Sequence, residues 1–268
     1  MSMLKFMPEG WDTLPQGLTK EALKEAMTEE KILQGKVESC DSNCNLHINL
    51  GNGLDGVINR EEVEAINTND LGIPKENLCT GKVNRFVQFK VKGIGKDDNK
   101  FILSRKDVQK DALNWVKNDL QEGQEVCGIV KNIKPYGIFV EIGGGVVGLA
   151  HIEDLSVARI KTPFERVQIG QKLDIMIKSI DRESGRVMLS YKELFGTWEE
   201  NAQKFKEGTK VKGIIRETEK NKNGIFVELT PNLVGMAEYK EGVKYGDKVY
   251  VYIKKIIPEK KKIKLIII

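Results

Sequence analysis

The sequence predicts a mainly β protein of three tandem five-stranded closed barrels joined by short α-helical linkers. Three observations carry that prediction. Residues 122–192 contain short runs of alternating apolar residues separated by turns at Tyr136-Gly137, Gly143-Gly145 and Glu183-Gly185, which is the strand content of a small barrel. The same plan recurs in weaker form before and after this stretch, and self-similarity of that kind marks a repeat array. Between the copies lie two segments whose apolar residues fall at helical spacing. The expected organisation is a lead and helix (1–29), a first barrel (30–106), a linker helix (107–123), a second barrel (124–192), a second linker helix (193–208) and a third barrel (209–268).

The lead, MPEGWDTLPQG, is punctuated by Pro and Gly, and Thr19 is placed to cap a helix over TKEALKEAMTEEKI with Glu21, Lys24 and Glu25 exposed. Trp11 is expected to pack on the first barrel. There, alternation buries Leu46, Ile48 and Leu50 and turns His47 and Asn49 outward. The stretch DVQKDALNWVKNDLQ sets Val108, Ala112, Trp115, Val116 and Leu120 on one stripe and ends at Gly123. Trp115 is its anchor to a barrel.

In the second barrel Ile138, Val140 and Ile142 point one way and Phe139 and Glu141 the other. Leu149 and His151 share parity, so a bulge or strand end must turn the His outward if it is to meet a ligand. In the second linker Thr197 is the N-cap, and Trp198, Ala202 and Phe205 form one face. The third barrel follows an Asn223-Gly224 turn, with Ile225, Val227 and Leu229 inward and Phe226 outward.

At 268 residues, 40% hydrophobic and 31% charged, the chain has an ordinary globular composition and room for two or three modules. The net charge of +4 permits nucleic acid as a partner without demanding it. From Lys206 onward, 15 basic residues face 8 acidic ones, so the positive surplus sits in the third module. The four cysteines form no regular framework and the start lacks the apolar run of a signal peptide, which together suggest a reducing cytoplasm. No segment reaches the roughly 20 apolar residues that span a bilayer. Cys40, Cys44, His47 and Cys79 invite a zinc reading, but their spacing is irregular and alternation parts strand neighbours, so free thiols are expected and no metal or cofactor. Nothing resembles a nucleophile with its base, and Gly143-Gly144-Gly145 is a hairpin turn with no Gly-Lys-Ser/Thr after it. A non-enzyme is expected.

An outward ring at Phe139, with Tyr136 at the turn before it, His151 at the end of the third strand and Arg186 opening the fifth, makes a face suited to unpaired bases. Singly, Tyr136 also reads as a turn residue and a lone His as structural. The segments YGIFV, GLAHI and Asp181 through GRVMLS resemble the RNA-binding repeat named after bacterial ribosomal protein S1, a five-stranded OB barrel. The resemblance implies that Tyr136, Phe139, His151, Asp181 and Arg186 face nucleic acid, with Lys134 beside them. In the first barrel His47, Asn59, Gly95 and Lys100 occupy the places of Phe139, His151, Asp181 and Arg186, which favours docking to protein. In the third, Phe226 is kept while Asn223, Glu238, Ile257 and Lys262 replace the rest. Its lysines, Lys254, Lys255, Lys260, Lys261, Lys262 and Lys264, read either as a solvated hairpin or as phosphate contacts, Lys262 and Phe226 being the candidates for RNA. The resemblance thus implies a cytoplasmic, ribosome- or translation-associated binder of single-stranded RNA, mRNA included, with the small ribosomal subunit or other translation proteins as further partners and no membrane role. The competing expectation is a protein-docking scaffold on the ribosome or transcription machinery that touches RNA incidentally.

Overall fold

The structure, a computed structural model, describes residues 6–11, 18–66, 68–218 and 224–268. Helix α1 (Lys20–Thr28) precedes β1 (Leu33–Cys40), β2 (Leu46–Gly51) and β3 (Leu54–Ile58); α2 (Glu76–Thr80), β4 (Phe86–Ile94) and β5 (Lys100–Ser104) complete the first barrel. After α3 (Arg105–Asn118) come β6 (Glu125–Lys134), β7 (Gly137–Gly143), β8 (Val146–His151), β9 (Lys172–Asp181) and β10 (Arg186–Ser190). Beyond α4 (Trp198–Ala202) lie β11 (Lys210–Thr218), β12 (Ile225–Thr230), β13 (Leu233–Ala237), β14 (Lys248–Ile257) and β15 (Lys262–Ile267).

Each group of five strands closes into a barrel in the same order, first-second-third-fifth-fourth. The third and fifth strands run parallel in all three barrels, as in Val57 beside Ile102, Leu149 beside Met188 and Met236 beside Lys264. This is OB-fold topology repeated three times. The register shifts in the first strand at one repeated position, between Val37 and Ser39 and again between Ile215 and Glu217. An extra residue there bends the strand, as closing so small a sheet requires.

The chain falls into two compact units, 1–129 with 140–148 and 179–187, and 130–139 with 149–178 and 188–268. In the first unit, α1 is capped by Thr19, whose Oγ1 accepts from the Ala22 N–H at 3.2 Å, and it buries Leu23 and Ala26. The expected stripe of α3 is buried at Val108, Ala112, Trp115, Val116 and Leu120. Trp115 packs on Phe6 of the lead, ring centroids 5.5 Å apart. The helix starts two residues before the predicted Asp107, because the Ser104 Oγ accepts from the Asp107 N–H at 3.0 Å and makes Ser104 the cap.

Against α3 lies the Gly143-Gly145 turn, all three residues at positive φ. A Cβ on Gly144 would stand 2.5 Å from that of Ala112, so only glycine both makes the turn and admits the helix. Arg105, the first residue of α3, is buried and bonds Glu9 of the lead through Nε at 2.7 Å and a second nitrogen at 3.0 Å. It also donates to the Val63 carbonyl at 3.1 Å and lies 3.0 Å from Glu64. Glu9 in turn donates its N–H to Glu141 at 2.8 Å. Glu141 does point out of its barrel, as alternation requires, but it is buried beneath the lead instead of meeting solvent.

In the second unit Thr197 caps α4 with a full capping box, and Ala202, Trp198 and Phe205 pack against the third core around Ile215, Val227, Val251 and Leu265. Leu229 is only half buried at its edge. Glu228 is buried between Arg166, 2.7 Å away, and Arg216, which also reaches Glu165. Tyr245 donates its hydroxyl to Glu165 at 2.8 Å. The predicted Asn223 turn lies outside the described residues.

Burial by itself raises the pKa of Glu9, but the Arg105 charge and hydrogen bonds outweigh it and the carboxyl stays below its ordinary 4.5. A group with a depressed folded pKa contributes stability above its unfolded pKa and loses it as pH falls through the folded one, so this contribution fades only in acid. Arg105→Ala is expected to lower the unfolding free energy by about 3–5 kcal/mol, because buried carboxylates lose their cation. Denaturant unfolding checks this. A variant that unfolds at the wild-type midpoint contradicts it.

Candidate nucleic-acid interface

On the second barrel, the β7 alternation buries Ile138, Val140 and Ile142 and leaves Phe139 half buried on the outside. Tyr136, 49% exposed in the turn before β7, meets Phe139 edge-on with ring centroids 6.2 Å apart and planes at 83°. In edge-to-face packing the edge of one ring meets one face of the other, and the remaining ring faces take no part in that contact. The turn is held by the Tyr136 carbonyl, which accepts from the Ile152 N–H at 2.9 Å.

His151 ends β8 half exposed and needs no bulge to do so. In β8 it is Gly148 and Ala150 that point inward, while Val147, Leu149 and His151 all point out. The shared parity of Leu149 and His151 therefore puts both on the outer face, where Leu149 neighbours Met188 of β10. The His151 Nδ1 lies 3.5 Å from the Glu153 N–H and caps a short 3-10 turn at Ile152–Asp154. The same Nδ1 stands 3.7 Å from the Glu153 carboxylate.

Gly137 is what brings these residues together. A Cβ at that position would stand 2.3 Å from the Ala150 carbonyl oxygen and 3.1 Å from the His151 Cα. Lys134, the last residue of β6, is exposed. Two other cations of the same compact unit are engaged: Lys178 and Lys192 both bond the buried Asp154, at 2.7 and 2.9 Å. Burial raises the Asp154 pKa, but these two ammonium groups bring it below the ordinary carboxylate value.

Asp181 and Arg186, in the other compact unit, flank the β9–β10 turn and are exposed. The Ser184 hydroxyl and N–H, followed by the Glu183 N–H, hold the Asp181 carboxyl below its ordinary pKa. It is thus first of all a turn-forming residue. The same turn grips the end of α3, where Arg182 donates to the carbonyls of Val116, Lys117 and Leu120 at 2.7–2.9 Å and satisfies the last turn of the helix. That clamp was invisible in the sequence, since Arg182 and its acceptors are more than 60 residues apart.

The equivalent places in the other barrels differ. His47 faces outward on β2 but lies 3.2 Å from Asp41, whose carboxyl the Asn45 N–H and amide pull down to about 2. Lys100, Arg186 and Lys262 each open the fifth strand of their barrel, so the cation recurs where the rings do not. Phe226 lies half buried on β12 beside the exposed Met236, and Glu238 and Lys262 are exposed. Cys79 is buried near Cys44 and Cys40, and desolvation followed by those neighbours pushes its thiol up to about 11. No group of three or more His, Cys, Asp or Glu side chains able to hold a metal occurs among the described residues. Nor does any helix among them have the length and apolarity to cross a membrane.

Gly137→Ala is expected to cost about 1–3 kcal/mol, the usual penalty for forcing a methyl into packed backbone. It should also move the Tyr136 and His151 resonances in an NMR spectrum. Unchanged stability and shifts contradict the close approach.

The chain is similar in sequence to known proteins over part of its length. Residues 119–192 match the family described as S1 RNA binding domain. The small ribosomal subunit protein bS1 of Pseudomonas aeruginosa is 36% identical over 197 residues, covering 67% of this chain and 34% of that protein. The bS1 of Staphylococcus aureus strain MRSA252 is 35% identical over 160 residues, covering 58% and 40%. The chain therefore spans well under half the length of these relatives. A Streptococcus pneumoniae multidomain protein with nucleic acid binding domains is 13% identical, covering 89% of this chain and 73% of that one, with a TM-score of 0.26. By its S1 domain and its identity to bS1, the chain belongs to the S1-domain family.

Proposed function

We propose that the chain binds single-stranded RNA with little sequence preference, through the outer face of its second barrel, and works with the ribosome or other translation proteins in a bacterial cytoplasm. The observation that carries this reading is the outward Tyr136–Phe139 ring pair, the tyrosine exposed and the phenylalanine half buried. Rings held at an angle on a rigid strand and turn accept any base, since every base has a face to stack on. His151 adds a third planar group, half exposed at the end of β8. Lys134 and Arg186 supply exposed cations for phosphate, and Asp181 orders the turn from which Arg186 emerges. The bS1 relatives, ribosomal proteins by name, support the association with the small subunit.

Phe226, Met236 and Lys262 give the third barrel a partial version of the same face. Two weak sites on one chain bind a strand more tightly than either alone, because the second contact forms at high effective concentration. The chain is read as a binding module and not as a catalyst. For the first barrel one observation favours protein docking: its equivalent ring position carries His47 engaged by Asp41, with no exposed aromatic beside it.

Phe139→Ala is expected to weaken binding of an unstructured oligoribonucleotide by about five- to a hundredfold, the value of one base stack. The melting temperature should fall only slightly, since the ring lies outside the core. Fluorescence anisotropy across a salt series checks both this and a slope of about 0.7 per phosphate contact. Unchanged affinity overturns the assignment of the ring pair.

A further inference from the structure

The outward face of β11 and β14 in the third barrel is not part of the face discussed so far. Alternation leaves Lys210 and Lys212 exposed on β11, and Lys248, Tyr250, Tyr252 and Lys254 exposed on β14. Tyr250 and Tyr252 are 48% and 40% exposed. Lys212 sits directly across from Tyr250 and Lys210 from Tyr252. The Lys210 ammonium lies 4.6 Å from the Tyr250 ring centroid and that of Lys212 5.9 Å. Four cations and two rings share this surface, and among the described residues no carboxylate stands at its outward positions.

The other two barrels show that the fold does not require such residues. Strand β9 begins Lys-Leu-Asp-Ile-Met-Ile-Lys where β14 begins Lys-Val-Tyr-Val-Tyr-Ile-Lys, and β6 begins Glu-Val-Cys-Gly where β11 begins Lys-Val-Lys-Gly. The two tyrosines thus stand where the second barrel has Asp174 and Met176, and the two lysines where it has Glu125 and Cys127. In the first barrel the same face is covered from within its own unit. The Gly10 N–H bonds Gln34 at 2.7 Å, Gln88 donates to the Met7 carbonyl at 3.1 Å, and Lys90 is engaged by Glu30 and Asp111. The third barrel carries on that face paired rings and uncompensated positive charge.

We propose that this face is a second binding track for a single-stranded nucleic acid, with Tyr250 and Tyr252 stacking bases and Lys210, Lys212, Lys248 and Lys254 taking phosphates. Residues two apart on a strand are separated by about 6.6 Å, a spacing suited to bases splayed from an extended strand. Rows of lysine on either side of stacking rings are the arrangement that tracks a phosphate backbone. The charge complements a polyanion, and the rings distinguish a strand with unpaired bases from an acidic polypeptide. On β11 Lys210 and Lys212 lie at the start of the strand, across from Tyr252 and Tyr250, whereas Phe226 pairs with Glu217 near its end, so this track is offset from the Phe226 face. It takes the ligand class of the proposed function and adds a second place for it.

The test titrates the full chain into a labelled 24-nucleotide oligouridylate, and separately into labelled polyglutamate, across a salt series. Tyr250→Thr/Tyr252→Thr should weaken oligouridylate binding about fivefold or more, by loss of stacking, with an unchanged melting temperature. Lys210→Gln/Lys212→Gln should reduce the salt slope by about 1.4, two phosphate contacts at about 0.7 each. Wild-type affinity and slope in both variants, with Phe139→Ala still weakening binding, overturn this track and leave the second-barrel reading intact. Weakening by the tyrosine pair but not by Phe139→Ala upholds the track and overturns that reading. Loss of polyglutamate binding in both double variants, with oligouridylate unaffected, overturns the track in favour of an acidic protein partner.

Discussion

Closing five strands into a barrel fixes one inside and one outside for every residue, because side chains alternate along each strand and the core admits only one set. Everything else about this chain follows from how the outside is used. Where outward positions carry residues that other parts of the same unit cover, they become packing surfaces. Where they carry rings and cations that nothing in the unit covers, they become candidate ligand surfaces. The three barrels repeat one strand order and one cation at the start of the fifth strand, and the first and third share a bulge in the first strand, yet they differ in this allocation.

Buried ion pairs do the covering. In the first unit Arg105 holds the lead by Glu9 and the loop at Glu64, and the Gly143-Gly145 turn is pressed against α3 closely enough to exclude a methyl group. In the second unit Arg166 and Arg216 surround Glu228, with Glu165 and Tyr245 completing the set. Taking charges out of water costs nearly as much as the pairing returns, so such networks add little net stability while penalising any arrangement that leaves a member alone. They suit a chain whose barrels have small cores. Glu141 and Glu228, each two residues beyond the outward phenylalanine of its second strand, serve the same purpose in their own units.

Much of the fold was legible because it rests on local rules. Period-two alternation gave the inward sets of β2 and β7, and the hydroxyl caps at Thr19 and Thr197 and the stripe of α3 followed from spacing alone. The outward placement of Phe139, Phe226 and His47 was legible for the same reason. What alternation does not reveal is what covers an outward residue. Glu141 points outward as alternation requires, but the partner that covers it, Glu9, lies 132 positions away. Ser104, not the acidic start at Asp107, caps α3, because the strand before it ends there. Parity with Leu149 calls for a bulge or strand end at an outward His151, but Gly148 and Ala150 fill the narrow interior and leave both Leu149 and His151 outside. Tyr250 and Tyr252 went unremarked because no motif marks them; comparing equivalent strand positions across the three repeats was the signal available.

The measurement that bears most directly on the central claim, that outward rings on the second barrel hold single-stranded RNA, is photocrosslinking with a 4-thiouridine oligonucleotide followed by peptide mapping. The account predicts adducts in the segment containing Tyr136 and Phe139, removed by competing unlabelled single-stranded RNA and not by duplex. Adducts confined to the first barrel and α3, with none between Lys134 and His151, would contradict it.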